Sequence, residues 1–354
     1  LVCLFVFLEL FIDLIEGNLM ENIKKVFSSK WMLSIIFLLL LYFFYTAIFG
    51  ISKDTVWILK RSSLLFALPI LYAVQFDKNI IKISIFMFFI SMFFSCLIAI
   101  GINYDIIYKL DDITKLRYAA FLKYTDHNVF LVVSIILSIF SVIHIKMKNN
   151  FRYIILFFIP VYLFSFITER GVAAWIIFII FISALLVYIF RKNITLAILA
   201  FCGILLCSYF IYNNSQVIQR MVTYKTKHIL TDERIVFLDN TLEMIESQPI
   251  IGYGPGSWRD VFNRKSERVP DRHNTPHNNY LYVWMELGIL GLILLLSIFY
   301  FHIREIYKKG IIATLFPFMF LILMLFDSYL FSQNTLILYI IFSIISVNFQ
   351  NKLA

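Results

Sequence analysis

The chain has 354 residues, of which 61% are hydrophobic and only 15% charged. A soluble domain sits nearer half apolar and a quarter charged, so this balance excludes one and points to a membrane protein crossing the bilayer several times. The net charge of +9 invites a nucleic-acid partner, but the placement of the cations along the chain accounts for it, and no nucleic acid is expected.

In chain order, the first segment, "LVCLFVFLELFIDLI", opens inside an apolar run with no leading Met and no cleavable-signal pattern. It reads as the interior of something longer, with one span missing ahead of it, or as an unusual start. A helical span takes roughly 20 apolar residues. Eleven stretches qualify: 1–15, 32–50, 57–76, 83–101, 127–145, 152–168, 172–190, 194–212, 279–302, 310–326 and 329–348. The expected fold is an all-α polytopic membrane protein, with residues 1–354 forming a single transmembrane domain.

The connections between these spans alternate in charge. Six segments carry Lys24, Lys25 and Lys30; Lys78 and Lys82; Lys146, Lys148 and Arg152; Arg191 and Lys192; Arg304, Lys308 and Lys309; and Lys352. Short cation-rich loops lie on the cytoplasmic side, so these segments face inward and the others outward. The four cysteines (Cys3, Cys96, Cys202 and Cys207) lie in apolar runs without metal-ligand or CxxC spacing, and read as small core residues.

The outward face collects the chemistry. Lys60 and Arg61 sit about one turn inside the third span from its outer end, where they bind lipid phosphate or simply snorkel. No DxD-like carboxylate pair lies there apart from Asp111-Asp112, which lacks the context of a metal site. Arg170, in "FITERGVAAW", lies on a very short outer connection beside Glu169. A membrane-edge arginine is a functional candidate, and an ion pair with Glu169 is the plainer reading.

The connection 213–276 is by far the longest, with nine Lys/Arg and eight Asp/Glu; connections of that length usually carry function. Within it, "TDERIVFLDNTLEMIES" predicts an amphipathic helix capped by Thr231, with Arg234 at its start and Ile235, Leu238, Leu242 and Ile245 as its apolar stripe. Such a helix lies on the membrane surface or against the bundle. "QPIIGYGPGSW" follows. Its Gly252, Gly254 and Gly256 offer backbone N–H groups to a phosphate, or else make a tight turn. Arg259, Arg264, Lys265, Arg268 and Arg272 form either a solvated face or contacts to an anionic substrate.

The stretch ends in "DRHNTPHNNYLYVWMELGILGL". His277 follows Pro276, and Asn278 opens a long apolar helix. A helix N-terminus disfavours a positive imidazole and keeps the neutral base, which suits a general base; a capping or interface residue is the plainer reading. His273 is the rival in the same stretch. The helix is longer than one span needs, which predicts a hinge at Gly288 or Gly291 and a first half that keeps Glu286 out of hydrocarbon.

These residues resemble a known family. "HN" at 277–278, nine residues, then "GILG" at 288–291 fits the H-[NSQ]-x9-G-x-x-G pattern of bacterial O-antigen ligases and the wider ligase and polymerase superfamily. "TERG" at 168–171 resembles the family's S-R-G-type segment. "ERIVFLDNTLEMIESQPIIGYGPGSW" resembles its R-x3-[W/F]…P-x-x-G-x-G-x-G segment. Leu292 stands where the ligases usually have Thr, and Glu169 where Ser is common.

The resemblance implies a multi-pass enzyme of the bacterial inner membrane, of the GT-C-like type with about twelve spans, whose periplasmic loop is 213–276. Its donor is a glycan on undecaprenyl diphosphate, and its acceptor a sugar hydroxyl of lipid A–core. It needs no metal or other cofactor and inverts the anomeric carbon. His277 deprotonates the acceptor, and Arg170 and Arg234 hold the diphosphate. Asn278, Arg272, Gly254, Gly256 and Arg61 complete the substrate-binding candidates, with membrane lipids as further partners. An O-antigen polymerase, a protein O-oligosaccharyltransferase and a transporter without catalysis are the alternatives.

Overall fold

The computed structural model describes residues 19–74, 78–104, 118–144, 149–168, 172–190, 233–265, 274–308 and 311–348, with scattered positions between them. The expected spans 1–15 and 194–212 lie outside these stretches or are touched only at isolated positions. So do Asp111-Asp112, Arg170, Arg272, His273 and the expected cap Thr231.

The described residues are helical apart from turns and one short hairpin, Tyr118–Ala119 with Leu122–Lys123. Among the described residues, six helices are long and apolar enough to cross a membrane, and three shorter apolar ones accompany them. The chain is an all-α polytopic membrane protein. Two compact units share it: residues 1–83 with 233–354, and residues 84–232.

The first unit holds an amphipathic helix α1 (Leu19–Ser28), α2 (Lys30–Phe49), α3 (Lys53–Ser62) and the short α4 (Ala67–Ala73). Ser29 caps α2 by accepting the Met32 N–H, and Ser52 with Thr55 forms a reciprocal capping box at α3. The second unit is built from α5 (Lys78–Asn103, whose first turns belong to the other unit), α6 (Tyr124–His144), α7 (Asn149–Thr168) and α8 (Val172–Ile189). Apolar on nearly every side, these helices suit a bilayer. Phe93 stacks on Phe158 at 4.4 Å, and Tyr162 donates to the Phe89 carbonyl at 2.5 Å.

Back in the first unit come α9 (Glu233–Ser247), α10 (Trp258–Lys265), α11 (Asn279–Tyr307), α12 (Ile311–Leu323) and α13 (Gln333–Asn348). The central helix α11 packs along α2, burying Trp31, Ile35, Leu38 and Tyr42 on one side and Val283, Leu287, Leu295 and Phe299 on the other. Deep in this packing, His302 lies flat on Trp31 with ring centroids 3.9 Å apart, and its Nδ1 is 3.0 Å from the Tyr339 hydroxyl.

The expected hinge is at Gly288. Its φ of 65° and ψ of −167° interrupt α11, in a region glycine alone enters without strain. The Ile289 N–H, deprived of its helical partner, donates to the Pro249 carbonyl at 3.0 Å.

Helix α9 differs from the expected stripe. The face turned inward is Phe237, Thr241, Met244 and Ile245, while Ile235, Leu238 and Leu242 stay exposed. The cause is α10. Trp258 donates its indole N–H to the Thr241 hydroxyl at 2.9 Å, and Trp258 and Phe262 pack edge-on against Phe237. That aromatic cluster outweighs the aliphatic stripe, and its hydrogen bond satisfies two buried polar groups.

Candidate active site

Pro276 leads into His277, whose φ of 55° is left-handed, uncommon for a residue with a side chain. Asn278 returns to extended backbone and caps α11. Its Oδ1 accepts the N–H groups of Tyr280 (2.9 Å) and Leu281 (3.1 Å), and its Nδ2 donates to the Leu325 carbonyl at 3.4 Å. The side chain expected to bind substrate thus holds the helix start in place, and the turn it creates projects His277.

The sequence reading did not single out the partner His277 meets. Its Nδ1 lies 2.8 Å from Oδ1 of Asp327, on the connection between α12 and α13. Burial acts to raise the Asp327 carboxyl, but it is outweighed. The hydrogen bond and charge of His277, the Ser328 N–H at 2.7 Å and the charge of Arg234 together hold it below its ordinary value. An ionised Asp327 accepts from Nδ1–H, which leaves the lone pair of the neutral imidazole on Nε2. The ring of Phe237 lies 5.8 Å from that of His277. Arg234, exposed at the start of α9, therefore shares one end of the unit with His277 and Asp327.

Arg61 belongs to the scaffold beside this pair. One guanidinium nitrogen donates to the Phe331 carbonyl at 2.7 Å, and the group lies 4.1 Å above the Trp57 ring. Phe331 is on the same connection as Asp327, so Arg61 braces the strip of chain that presents the carboxylate.

The glycine loop also departs from the phosphate-cradle expectation. The Gly254 N–H donates to the Glu286 carbonyl (2.9 Å) and the Gly256 N–H to the Glu286 carboxylate (2.8 Å), while Thr55 bonds the Pro255 carbonyl at 2.9 Å. A side chain at Gly256 would run into the backbone of Asp54 and Thr55, and one at Gly254 into Phe49. The glycines let the loop lie flat between α3 and α11, and those two N–H groups are committed to Glu286. Glu286 itself is fully buried, in protein rather than lipid.

The arrangement is an imidazole–carboxylate pair with an arginine at the same end of a membrane bundle. Such a constellation serves proton abstraction from a hydroxyl near an anionic group. Asp327→Asn should lower kcat about 10²-fold or more while leaving KM and thermal stability close to wild type, because it removes the control over which nitrogen carries the proton. Steady-state kinetics on the purified variant measure the split.

The class so defined is a polytopic α-helical membrane protein with an imidazole–carboxylate pair and an arginine at one end of its first unit. Residues 166–296 match the family model described as O-antigen ligase. An O-antigen ligase of Salmonella typhimurium (strain LT2) is 27% identical over 252 residues, covering 67% of this chain and 59% of the relative. The chain thus spans about 59% of the length of that curated relative. Both comparisons show similarity to O-antigen ligases, and the family-model match includes the "HN…GILG" segment at 277–291.

Proposed function

We propose that the chain is an O-antigen ligase-type glycosyltransferase of the bacterial inner membrane, acting on the periplasmic side. It moves a glycan from undecaprenyl diphosphate to a sugar hydroxyl of lipid A–core. The observation that carries the reading is the 2.8 Å contact between His277 and Asp327 at the start of the family's motif helix.

In this reading the acceptor hydroxyl gives its proton to Nε2 of His277 as its oxygen attacks the anomeric carbon from the face opposite the leaving group. The bond to the diphosphate oxygen breaks, its electron pair leaves with undecaprenyl diphosphate, and the anomeric configuration inverts. Asp327 offsets the charge of the resulting imidazolium. Arg234 meets the diphosphate, since guanidinium stays charged and grips phosphate bidentately; the same role for Arg170 rests on the family resemblance of "TERG" alone. Arg272 is a further contact to the donor in the same role. The short cation-rich connections along the sequence support the orientation, because such connections lie on the cytoplasmic side.

Arg234→Lys should lower kcat/KM about tenfold or more, because an ammonium keeps the charge but not the two-pronged geometry. Unchanged kinetics would reduce Arg234 to a surface residue. Deletion of the gene separates ligase from polymerase. The ligase reading expects bare lipid A–core with long chains accumulating on undecaprenyl diphosphate. Core capped by a single repeat unit would show that transfer to core survives, and the polymerase reading would replace it.

A further inference from the structure

The exposed side of α9 and the turn after it have no counterpart in a water-facing loop. Ile235, Leu238 and Leu242 are each about two-fifths exposed, and Ile250 and Ile251 of the turn are 71% and 57% exposed. The acidic side chains Asp239, Glu243 and Glu246 project from the adjoining face of the helix. Exposed isoleucines at the tip of a tight turn are costly in water.

The geometry of α11 shows where this surface sits. Beyond the Gly288 kink, Ile289, Ile293, Leu296 and Tyr300 are exposed at spacings that line one face of a helix. At about 1.5 Å per residue, the stretch from Ile289 to Tyr307 is roughly 28 Å long, against about 30 Å of bilayer hydrocarbon. Tyr307, Arg304 and Lys308 mark one end of it, as aromatic and cationic residues mark a membrane interface. Trp284 lies just beyond the other end. The kink is therefore at the edge of the hydrocarbon on the His277 side, and the first turns of α11 stand in the interfacial layer.

The turn 249–251 is fastened to that kink. Pro249 accepts the Ile289 N–H and the Trp284 indole N–H, both at 3.0 Å, and the Ile250 carbonyl lies against the Cα of Gly288. Ile250 and Ile251 are thus held at the depth where the lipid-facing stripe of α11 begins. Helix α9 leads away from this point toward His277, which Phe237 approaches near its other end.

We infer that the turn 249–251 and the Leu238–Leu242 face of α9 insert into the lipid interface on the His277 side, as a monotopic element fixed to the bundle. The occupant of this surface is the acyl-chain and headgroup boundary of the bilayer. The acidic face of α9 stays in water, and the helix forms a fixed wall from lipid to the His277–Asp327 pair.

Site-directed spin labelling in phospholipid vesicles tests this without any substrate, so its outcome is separate from that of the proposed reaction. In a variant with Cys3, Cys96, Cys202 and Cys207 replaced by alanine, labels are placed by Leu242→Cys, Glu243→Cys, Ile250→Cys and Ile251→Cys. Collision with oxygen, which partitions into lipid, is compared with collision with a water-soluble nickel chelate. Oxygen should dominate at 242, 250 and 251, most strongly at 250 and 251, and the ratio should invert at 243. Nickel dominating at 250 and 251 would place the turn in water. Protection from both reagents there would mean that protein covers it. Either result overturns the inference.

Discussion

On the proposed reaction, His277→Ala should abolish glycan transfer while the protein still enters the membrane at its normal level. The imidazole is the base of the proposed reaction, and removing a positioned general base costs about 10²–10⁴-fold in rate. The side chain is only half-buried, on a turn outside the helices. Its loss removes the contacts with Asp327 and Phe237, and the cap made by Asn278 stays in place. Membrane-fraction immunoblots and transfer assays on the same preparation separate the two quantities. Near-normal transfer by the alanine variant would remove His277 from the chemistry.

Gly288→Ala acts on the fold. A side chain at this φ of 65° is strained, by about 1–3 kcal/mol. Its Cβ would also collide with the Ile250 carbonyl. That carbonyl cannot swing away easily, since the Pro249 carbonyl on one side and the Tyr253 N–H on the other are both bonded to α11. Such overpacking costs roughly another 1–3 kcal/mol. The variant should accumulate poorly and melt several degrees lower in detergent, with transfer lost in proportion to folded protein. A melting temperature equal to wild type would mean that the kink is relaxed at no cost and does not hold the loop.

The nine spans that fall on described residues were legible because hydrocarbon imposes length and apolarity on every crossing helix. His277 was legible as a polar residue at the mouth of an apolar helix, in a motif with fixed spacing to Gly288. Asp327 was not, because it stands 50 residues away in "MLFDSYLF", and single-chain spacing carries no sign of which loops meet. One signal was present: a lone carboxylate between two apolar spans is costly unless something pairs with it.

Which face of α9 meets the bundle was hidden for a related reason. Phe237, Thr241 and Met244 recur at helical spacing as well as Ile235, Leu238 and Leu242 do, and only the docking of Trp258 decides between them. The alternating glycines fitted a phosphate cradle as well as a tight turn, because a loop that approaches a ligand and one that approaches a helix need the same absence of side chains. Glu286, buried where the loop crosses α11, is the residue that assigns these glycines to the second role.

The central claim is that this chain transfers a lipid-linked glycan through His277. The most direct measurement is reconstitution of the purified full chain with undecaprenyl-diphosphate-linked glycan and lipid A–core, followed by gel and mass analysis of the lipid product. The account predicts glycosylated lipid A–core and released undecaprenyl diphosphate from the wild type, in the presence of chelator, and neither from His277→Ala. Product formed equally by both proteins, or longer chains still on the carrier with lipid A–core unmodified, would contradict it.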